Sequence, residues 1–287
     1  MVRRTSRPTT PLIALAIAGL VLAGCQTGGG GGAAFTPSPT ADPATGSQAN
    51  LGSLTEVVQR NPNDPNAYNV RGIAYAEAGR AQDALADFSQ AIRLNPYFYQ
   101  AYANRALVLR GLGRLDEALA DYNNAIQVNP SYADAYAGRG DLYRVAGRND
   151  LAFADLTQAV TLDPSDAQAH NNLGLIYQTQ GQHQQAIDEF TRAISFAPRA
   201  AAPRNGRGVS YIALANYQAA FDDLNEAARL DPNSPQIWTN LGRAAEGLGR
   251  IEDARTAYGY ALRLDPTYAP ARDGLARVGG TPSMAAV

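Results

Sequence analysis

Small and large apolar positions recur along this chain with a constant period, the spacing from Gly72 to Ala106. One glycine-rich column and two alanine columns run through six consecutive blocks, and a column of larger side chains lies between the alanines. Small side chains at such positions let two helix backbones approach closely, and the larger ones fill the remaining space. Each block therefore predicts a hairpin of two α-helices. The columns are Gly72, Ala106, Gly140, Gly174, Gly208 and Gly242; Ala84, Ala118, Ala152, Ala186, Ala220 and Ala254; Ala91, Ala125, Ala159, Ala193, Ala227 and Ala261; and Phe88, Tyr122, Leu156, Phe190, Leu224 and Tyr258.

Glycine and proline mark the predicted helix ends with the same period, which indicates one supersecondary unit stacked repeatedly. Glycine tolerates the left-handed conformation of a helix C-cap, so it predicts the end of each first helix, and only Ala215 departs. A residue before proline is disfavoured in the α conformation, so each second helix is predicted to end at Asn-Pro or Asp-Pro, or at Ala197 in one block. The columns are Gly79, Gly113, Gly147, Gly181 and Gly249, and Pro62, Pro96, Pro130, Pro164, Pro198, Pro232 and Pro266.

These columns resemble the signature of the tetratricopeptide repeat (TPR). The block of Tyr68, Gly72, Tyr75, Ala84, Phe88, Ala91 and Pro96 and the block of Trp238, Gly242, Ala254, Tyr258, Ala261 and Pro266 both match it. The resemblance implies an all-α fold: an α-solenoid of six tandem TPR hairpins over residues 65–268, preceded by a partial repeat at 51–64 and followed by a short capping helix at 269–278 and a disordered tail at 279–287. Departures from the signature at His170, Arg204, Leu109 and Ala245 predict locally looser packing.

The N-terminal segment, as far as Cys25, predicts export and lipidation. Three arginines precede an apolar run from Leu12 to Leu22, which is too short for a stable bilayer-spanning helix and typical of a secretory signal. The run ends in Leu22-Ala23-Gly24-Cys25, which resembles the lipobox of bacterial lipoproteins. The resemblance implies a signal peptide at 1–24 and a lipid on Cys25, the only cysteine, whereas a lone cysteine elsewhere would be read as a buried thiol.

The residues after Cys25 predict location and reach. Gln26 stands where the inner-membrane retention signal of well-studied Gram-negative lipoproteins has Asp, so we expect an outer-membrane protein that faces the periplasm. Residues 25–50 are rich in Gly, Ala, Pro, Ser and Thr and predict a flexible tether behind the lipidated cysteine.

Charge narrows the classes of partner. Removal of residues 1–24 takes away three arginines and no acids, which leaves 21 basic and 26 acidic residues and a net charge of −5. A nucleic-acid-binding surface is basic, so a nucleic-acid partner is not expected. Lysine is absent from the sequence.

One pair of columns predicts ion pairs between the helices of a hairpin. An arginine in the first helix is matched by an aspartate in the second, while Leu173 and Leu241 are matched by Glu189 and Ala257. This correlation favours a bidentate structural pair, and the alternative is an arginine ladder that binds an anionic ligand. The pairs are Arg71 with Asp87, Arg105 with Asp121, Arg139 with Asp155, and Arg207 with Asp223.

The sequence offers no catalytic constellation. The two histidines, His170 and His183, are thirteen residues apart and do not share a helical face as metal ligands do. The acidic residues are scattered over predicted helix surfaces, and no pair resembles the two carboxylates of a glycosidase. We therefore expect a protein that is not an enzyme and that uses no metal or cofactor.

The TPR resemblance implies that the first helices line a concave groove and bind peptides there. Asn104, Asn172 and Asn240 recur at every second repeat and resemble the asparagine ladder of some TPR proteins, which bonds an extended peptide backbone; the alternative is a polar residue tolerated near a helix start. The candidate groove residues are Asn69, Asn104, Leu107, Arg110, Asp141, Arg144, Asn171, Asn172, Leu175, Gln178, Asn205, Val209, Asn240 and Arg243.

Taken together, these features resemble the outer-membrane TPR lipoproteins that act as adaptors in Gram-negative bacteria. The resemblance implies a scaffold, held to the membrane through Cys25, that binds envelope proteins or peptides, with peptidoglycan hydrolases and proteases as candidate partners. The alternative is a structural subunit or pilotin of an envelope assembly or secretion complex. The sequence leaves a homodimer open.

Overall fold

The computed structural model describes residues 48–279, and all regular structure within that range is α-helical. Six helix hairpins follow one another, with one helix before them and one after them, so the predicted all-α solenoid is confirmed. The helices are α1 (Gln48–Arg60), α2 (Pro65–Glu77), α3 (Ala81–Leu94), α4 (Tyr99–Gly111), α5 (Leu115–Val128), α6 (Ala133–Val145), α7 (Asn149–Leu162), α8 (Ala167–Thr179), α9 (His183–Phe196), α10 (Ala201–Ala213), α11 (Tyr217–Leu230), α12 (Pro235–Gly247), α13 (Ile251–Leu264) and α14 (Ala269–Arg277).

Two predicted boundaries differ slightly from the structure. Helix α1 begins at Gln48, three residues inside the predicted tether, and α14 ends at Arg277, with Val278 as its C-cap. The predicted signal peptide, Cys25 and the tether as far as residue 47 lie outside the described residues, as does the tail beyond residue 279. Every helix within residues 48–279 is too short or too polar to span a bilayer.

The small columns allow large side chains to pack between helices. Phe190 of α9 is fully buried, and its ring lies against the backbones of two first helices. A Cβ atom at Gly174 in α8 would be 2.7 Å from Cε1 of this ring, and one at Gly206 in α10 would be 2.5 Å from its Cζ. Glycine therefore makes room for one ring that joins two consecutive repeats.

The turns inside the hairpins confirm the predicted caps. The five glycines have φ between 71° and 74°, the left-handed region in which a side chain is disfavoured. Ala215 takes the same role in the fifth hairpin with φ of 56°. An alanine there stores strain that the other turns do not have.

Replacing Ala215 with glycine is expected to stabilise the protein by about 1 kcal/mol, because the left-handed conformation no longer crowds a Cβ atom. The matched control is Ala154→Gly at an exposed position inside α7, which should cost about 1 kcal/mol. Urea unfolding of both variants measures the difference, and a loss of stability in both would contradict the strain at Ala215.

The turns between repeats are held by the residue before proline. In five of these turns its side-chain oxygen accepts a hydrogen bond from the backbone N–H two residues later, which explains why Asn or Asp is preferred there. The acceptors are Asn95, Asn129, Asp163, Asp231 and Asp265, with distances of 2.8 to 3.2 Å.

The first aromatic column, which consists of Tyr68, Tyr102, Tyr136, His170, Arg204 and Trp238, supplies a hydrogen-bond donor in four of the six repeats. Tyr68, His170, Arg204 and Trp238 each direct a side-chain O–H or N–H to the carbonyl of the proline six residues earlier, at 2.8 to 3.2 Å. The role of the column therefore survives when the aromatic ring is lost.

The predicted looser packing at the departures from the signature is wrong for three of the four residues. His170 is 4% exposed, and Leu109 and Ala245 are buried as well. Arg204 is half-buried and keeps the hydrogen bond of its column.

The arrangement of contacts defines the inner side of the solenoid. Each first helix packs against the first helix of the next repeat, whereas no Cα atoms of consecutive second helices lie within 8 Å of each other in residues 48–279. The first helices are therefore closer together and line the concave side, as the TPR resemblance implies.

Candidate functional site

The arginine–aspartate pairs are part of the scaffold. Nε of Arg71 donates to Oδ2 of Asp87 at 2.7 Å, and Nη2 donates to Oδ1 at 2.8 Å. The same bidentate geometry recurs at the other three predicted pairs. The hydrogen bond to the aspartate outweighs burial and raises the pKa of each of these arginines. The predicted inter-helix ion pairs are confirmed.

Three of these arginines also reach the preceding repeat. Their Nη1 groups donate to a polar side chain on the second helix before them, which ties consecutive repeats together. The acceptors are Ser89 for Arg105, Asn123 for Arg139 and Thr191 for Arg207, at 2.7 to 2.9 Å. These contacts leave little support for an arginine ladder that binds an anionic ligand.

Amide pairs join the first helices on the inner face. Nδ2 of Asn104 donates to Oδ1 of Asn69 at 3.0 Å, and Asn240 donates to Asn205 at 2.9 Å. Asn172 donates to Oδ1 of Asp141 at 3.2 Å and is only 2% exposed. This arrangement favours the interpretation of the asparagines as structural residues, and direct contact with a peptide stays a prediction.

Asn171 breaks the pattern of amide pairs. It occupies the column of Asn69 and Asn205, but the residue that would donate to it from the next helix is Gly206, which has no side chain. Oδ1 of Asn171 is buried and has no hydrogen-bond partner. Since Phe190 requires the glycine at 206, packing takes precedence over the amide pair there.

A buried carboxylate lies at the centre of the inner face. The oxygens of Asp141 accept hydrogen bonds from Arg110, from Nη2 of Arg144 at 2.8 Å and from Asn172. These residues come from α4, α6 and α8, so the cluster fixes the spacing of three consecutive first helices. All four residues of this cluster are predicted groove residues: Arg110, Asp141 and Arg144 are charged, and Asn172 is neutral.

A cleft opens beside this cluster, where α8 ends between α6 and α10. Its volume is about 350 Å³. The floor is apolar and the rim is polar, with no acidic residue in the lining. The lining residues are Arg144, Asn149, Leu175, Ile176, Gln178, Thr179, His183 and Val209.

Gln178 and His183, two polar side chains of the rim, differ in whether their polar atoms have hydrogen-bond partners. Nε2 of Gln178 donates to the carbonyl of Gly206 at 2.7 Å and to Oγ of Ser210 at 2.8 Å, so Gln178 is committed to α10. Nδ1 of His183 is buried and has no hydrogen-bond partner. A buried polar atom without a partner costs free energy, and a bound group would relieve that cost.

The remaining candidate groove residues lie on α4, α10 and α12. Leu107 and Val209 are half-buried apolar side chains on α4 and α10. Arg243 is exposed on α12, and its Nη1 lies 3.5 Å from Oδ1 of Asn240. At the C-terminal end, Arg277 of α14 forms two 3.0 Å hydrogen bonds with Glu246, so the capping helix closes that end of the inner face.

A second cleft, of about 530 Å³, lies on the outer side between α3 and α5. Its charged residues are already paired with each other: Arg105 with Asp121, and Arg114 with Glu117. The inner cleft therefore offers the better binding surface. Among residues 48–279, no cluster of His, Cys, Asp and Glu has the arrangement of a metal site.

The repeats, the caps and the inner face together define a tetratricopeptide-repeat protein that presents a scaffold surface to other proteins or peptides. Family models agree in three regions: "Tetratricopeptide repeat" matches residues 65–98, "TPR repeat" matches 107–144, and "Cilia and flagella-associated protein 70 C-terminal domain" matches 131–267. A search of curated proteins found no significant match.

Solved TPR structures share the fold at low sequence identity. A chain of the "APC/C hetero-tetramer Cut9-Hcn1" is 24% identical with a TM-score of 0.73, and covers 82% of this chain, which spans only 46% of that one. PilF of Pseudomonas aeruginosa is 19% identical with a TM-score of 0.69, covering 76% of this chain and 99% of its own. YrrB, described as "a TPR protein with an unusual peptide-binding site", is 21% identical with a TM-score of 0.50, covering 65% of this chain and 96% of its own. At these identities the likeness concerns the fold.

Proposed function

We propose that this protein is a lipid-anchored scaffold in the bacterial envelope that faces the periplasm and binds segments of envelope proteins along its inner face. It acts by binding and not by catalysis. The observation that carries the proposal is the inner cleft, with its apolar floor, its polar rim and the unpartnered Nδ1 of His183. YrrB, which has the same fold, is described as having an unusual peptide-binding site.

The chemistry of the cleft suggests what a bound segment contains. An apolar side chain would lie against Leu175 and Val209, and a hydrogen-bonding group beside it would reach the rim. Peptide-binding grooves of helical scaffolds combine these two kinds of contact. Hydrolases and proteases of the cell wall are the partners that we put forward first.

The anchor is supported by sequence. Leu22-Ala23-Gly24-Cys25 follows a short apolar run, and the stretch 26–47 before α1 provides a tether. A coil of that length has a root-mean-square span of roughly 25 Å, so the solenoid would reach partners that lie off the membrane surface. One acyl chain gives only marginal binding to a bilayer, and additional chains make it firm.

The proposal is tested by affinity capture of the full-length protein from cross-linked envelopes, with mass spectrometry of the proteins that co-purify. The Leu107→Ser, Val209→Ser variant changes the inner face, and Leu115→Ser, Leu151→Ser is the control at exposed apolar positions in the first turns of α5 and α7. We expect partners to fall by about tenfold in the first variant and to persist in the control.

Other outcomes of this capture reject the proposal in different ways. One stoichiometric complex that persists in both variants would favour the assembly-subunit alternative. Co-purification of a second copy of the chain alone would indicate a homodimer in place of an adaptor. A Cys25→Ser variant tests the anchor separately: incorporation of an alkyne-tagged fatty acid into the protein should disappear, and labelling that persists would exclude Cys25 as the acylated residue.

A further inference from the structure

The two helices of the fourth hairpin, α8 and α9, are joined by a different side-chain pair from the one in the hairpins on either side. Where the third and fifth have an arginine–aspartate pair, it has Leu173 and Glu189. The carboxylate of Glu189 is contacted instead by His170: Nδ1 of the ring lies 2.6 Å from Oε2. The inter-helix charge pair is therefore kept, but its cation is a histidine in place of an arginine.

The surroundings of His170 determine where its protons are. Nε2 lies 3.0 Å from the carbonyl oxygen of Pro164, which can only accept a hydrogen bond, so Nε2 must donate. The other oxygen of Glu189 accepts from Nη1 of Arg192 at 2.6 Å, which favours an ionised carboxylate. An ionised carboxylate also only accepts, so Nδ1 must donate as well. Both ring nitrogens carry a proton only in the imidazolium form.

The charged groups that face this imidazolium come from the helix packed against it. They are Glu189 and Arg192, both on α9. The ring of Phe196, also on α9, stacks on the imidazole with centroids 6.0 Å apart. The contact on the other side is the carbonyl of Pro164 in the turn before α8.

We propose that His170 and Glu189 form a proton-dependent brace between α8 and α9 that shapes the inner cleft at low pH and releases it as the pH rises. When the imidazolium loses one proton, the neutral ring has a single N–H for two acceptors, Glu189 and the carbonyl of Pro164, so one of these hydrogen bonds is lost together with the charge attraction to Glu189. Helix α8 supplies Leu175, Gln178 and most of the cleft floor, and α9 begins with His183 at the rim.

The direction of the pH effect follows from the two states of the histidine. Burial lowers the pKa of His170, but the hydrogen bonds to Glu189 and Pro164 outweigh burial, so its pKa in the folded protein is raised above 6.5. A raised pKa gives stabilisation that is fully present below about pH 6.5 and is lost as the pH rises through the folded-state value. The bidentate arginine pairs do not titrate in this range, because guanidinium stays charged.

The link between the brace and partner binding rests on the proposed function, whereas the brace itself is tested without a partner. The full-length chain, labelled with ¹³C-histidine and purified in detergent, has only two imidazole signals, which His170→Tyr and His183→Gln assign. We expect the His170 signal to titrate above pH 6.5. A His170 ring that is already neutral at pH 6 would overturn the proposal.

Hydrogen exchange, corrected for the intrinsic effect of pH, tests the structural consequence. Between pH 6 and pH 9, protection in α8 and α9 should fall by about tenfold for each unit by which the pKa of His170 is raised, while α10 and α11 serve as the internal reference. The triple variant His170→Tyr, Leu173→Arg, Glu189→Asp installs the pair of the third hairpin and should remove this pH dependence. Equal loss of protection in both hairpins, or a pH dependence that the triple variant retains, would refute the brace while leaving the adaptor proposal intact.

Discussion

Phe190→Ala is expected to destabilise the solenoid by about 3–5 kcal/mol, the range for removing a fully buried aromatic side chain. The ring lies between Gly174 and Gly206, so its loss leaves a cavity that neither backbone is free to fill. The damage should include the contact between the fourth and fifth repeats, because one ring serves both. Urea unfolding, followed by circular dichroism, measures the loss.

Phe196→Ala is the matched control in the same helix. Its side chain is 48% exposed, and it contributes a stacking contact with His170. The cost should stay below about 1 kcal/mol, as for most substitutions at the surface. If the two variants were equally stable, the claim that Phe190 joins two repeats would be wrong.

Arg139→Leu is expected to cost about 3–5 kcal/mol, because it leaves the buried carboxylate of Asp155 without its partner. The double variant Arg139→Leu, Asp155→Ala should recover most of this loss. The chain itself provides the precedent, since the sixth hairpin has Leu241 and Ala257 at these positions and both are buried.

A double-mutant cycle on Arg139 and Asp155 separates the cost of losing each side chain from the free energy of coupling between them. Asp155→Ala alone should be milder than Arg139→Leu, because the remaining guanidinium is 20% exposed and reaches water. A favourable coupling of about 1 kcal/mol or more between the two substitutions is expected for groups in direct contact. Additive costs in the double variant would mean that the pair is not coupled.

The fold was predictable because its determinants repeat. Glycine at the left-handed turn recurs in five of the six hairpins and alanine at the close helix contacts recurs in all six, so these steric requirements are visible in one sequence. The arginine–aspartate pairs were predictable for the same reason, because the two columns change together. Where Arg is replaced by Leu173, the partner also changes to Glu189.

The hydrogen bonds of the inner face were harder to predict, because each joins a residue of one column to a residue in the next repeat that is shifted by one position from the same column. Asn69 and Asn104 are 35 residues apart, as are Asn205 and Asn240, and this spacing was the signal that could have found the amide pairs. The recurrence of asparagine at every second repeat drew attention instead to Asn172, whose partner is a carboxylate from another column. The donor role of the first aromatic column was hidden because His170 and Arg204 do not resemble a tyrosine in shape.

The wider spacing of consecutive second helices in residues 48–279, whose Cα atoms are all more than 8 Å apart, has a mechanical consequence. Each second helix is packed against the first helix that follows it, so a small change of tilt between neighbouring repeats alters the gap between their second helices while the first helices stay in contact. We therefore expect the solenoid to be most compliant along the direction that changes its radius of curvature. A groove built this way is expected to adjust its width to the thickness of a bound segment.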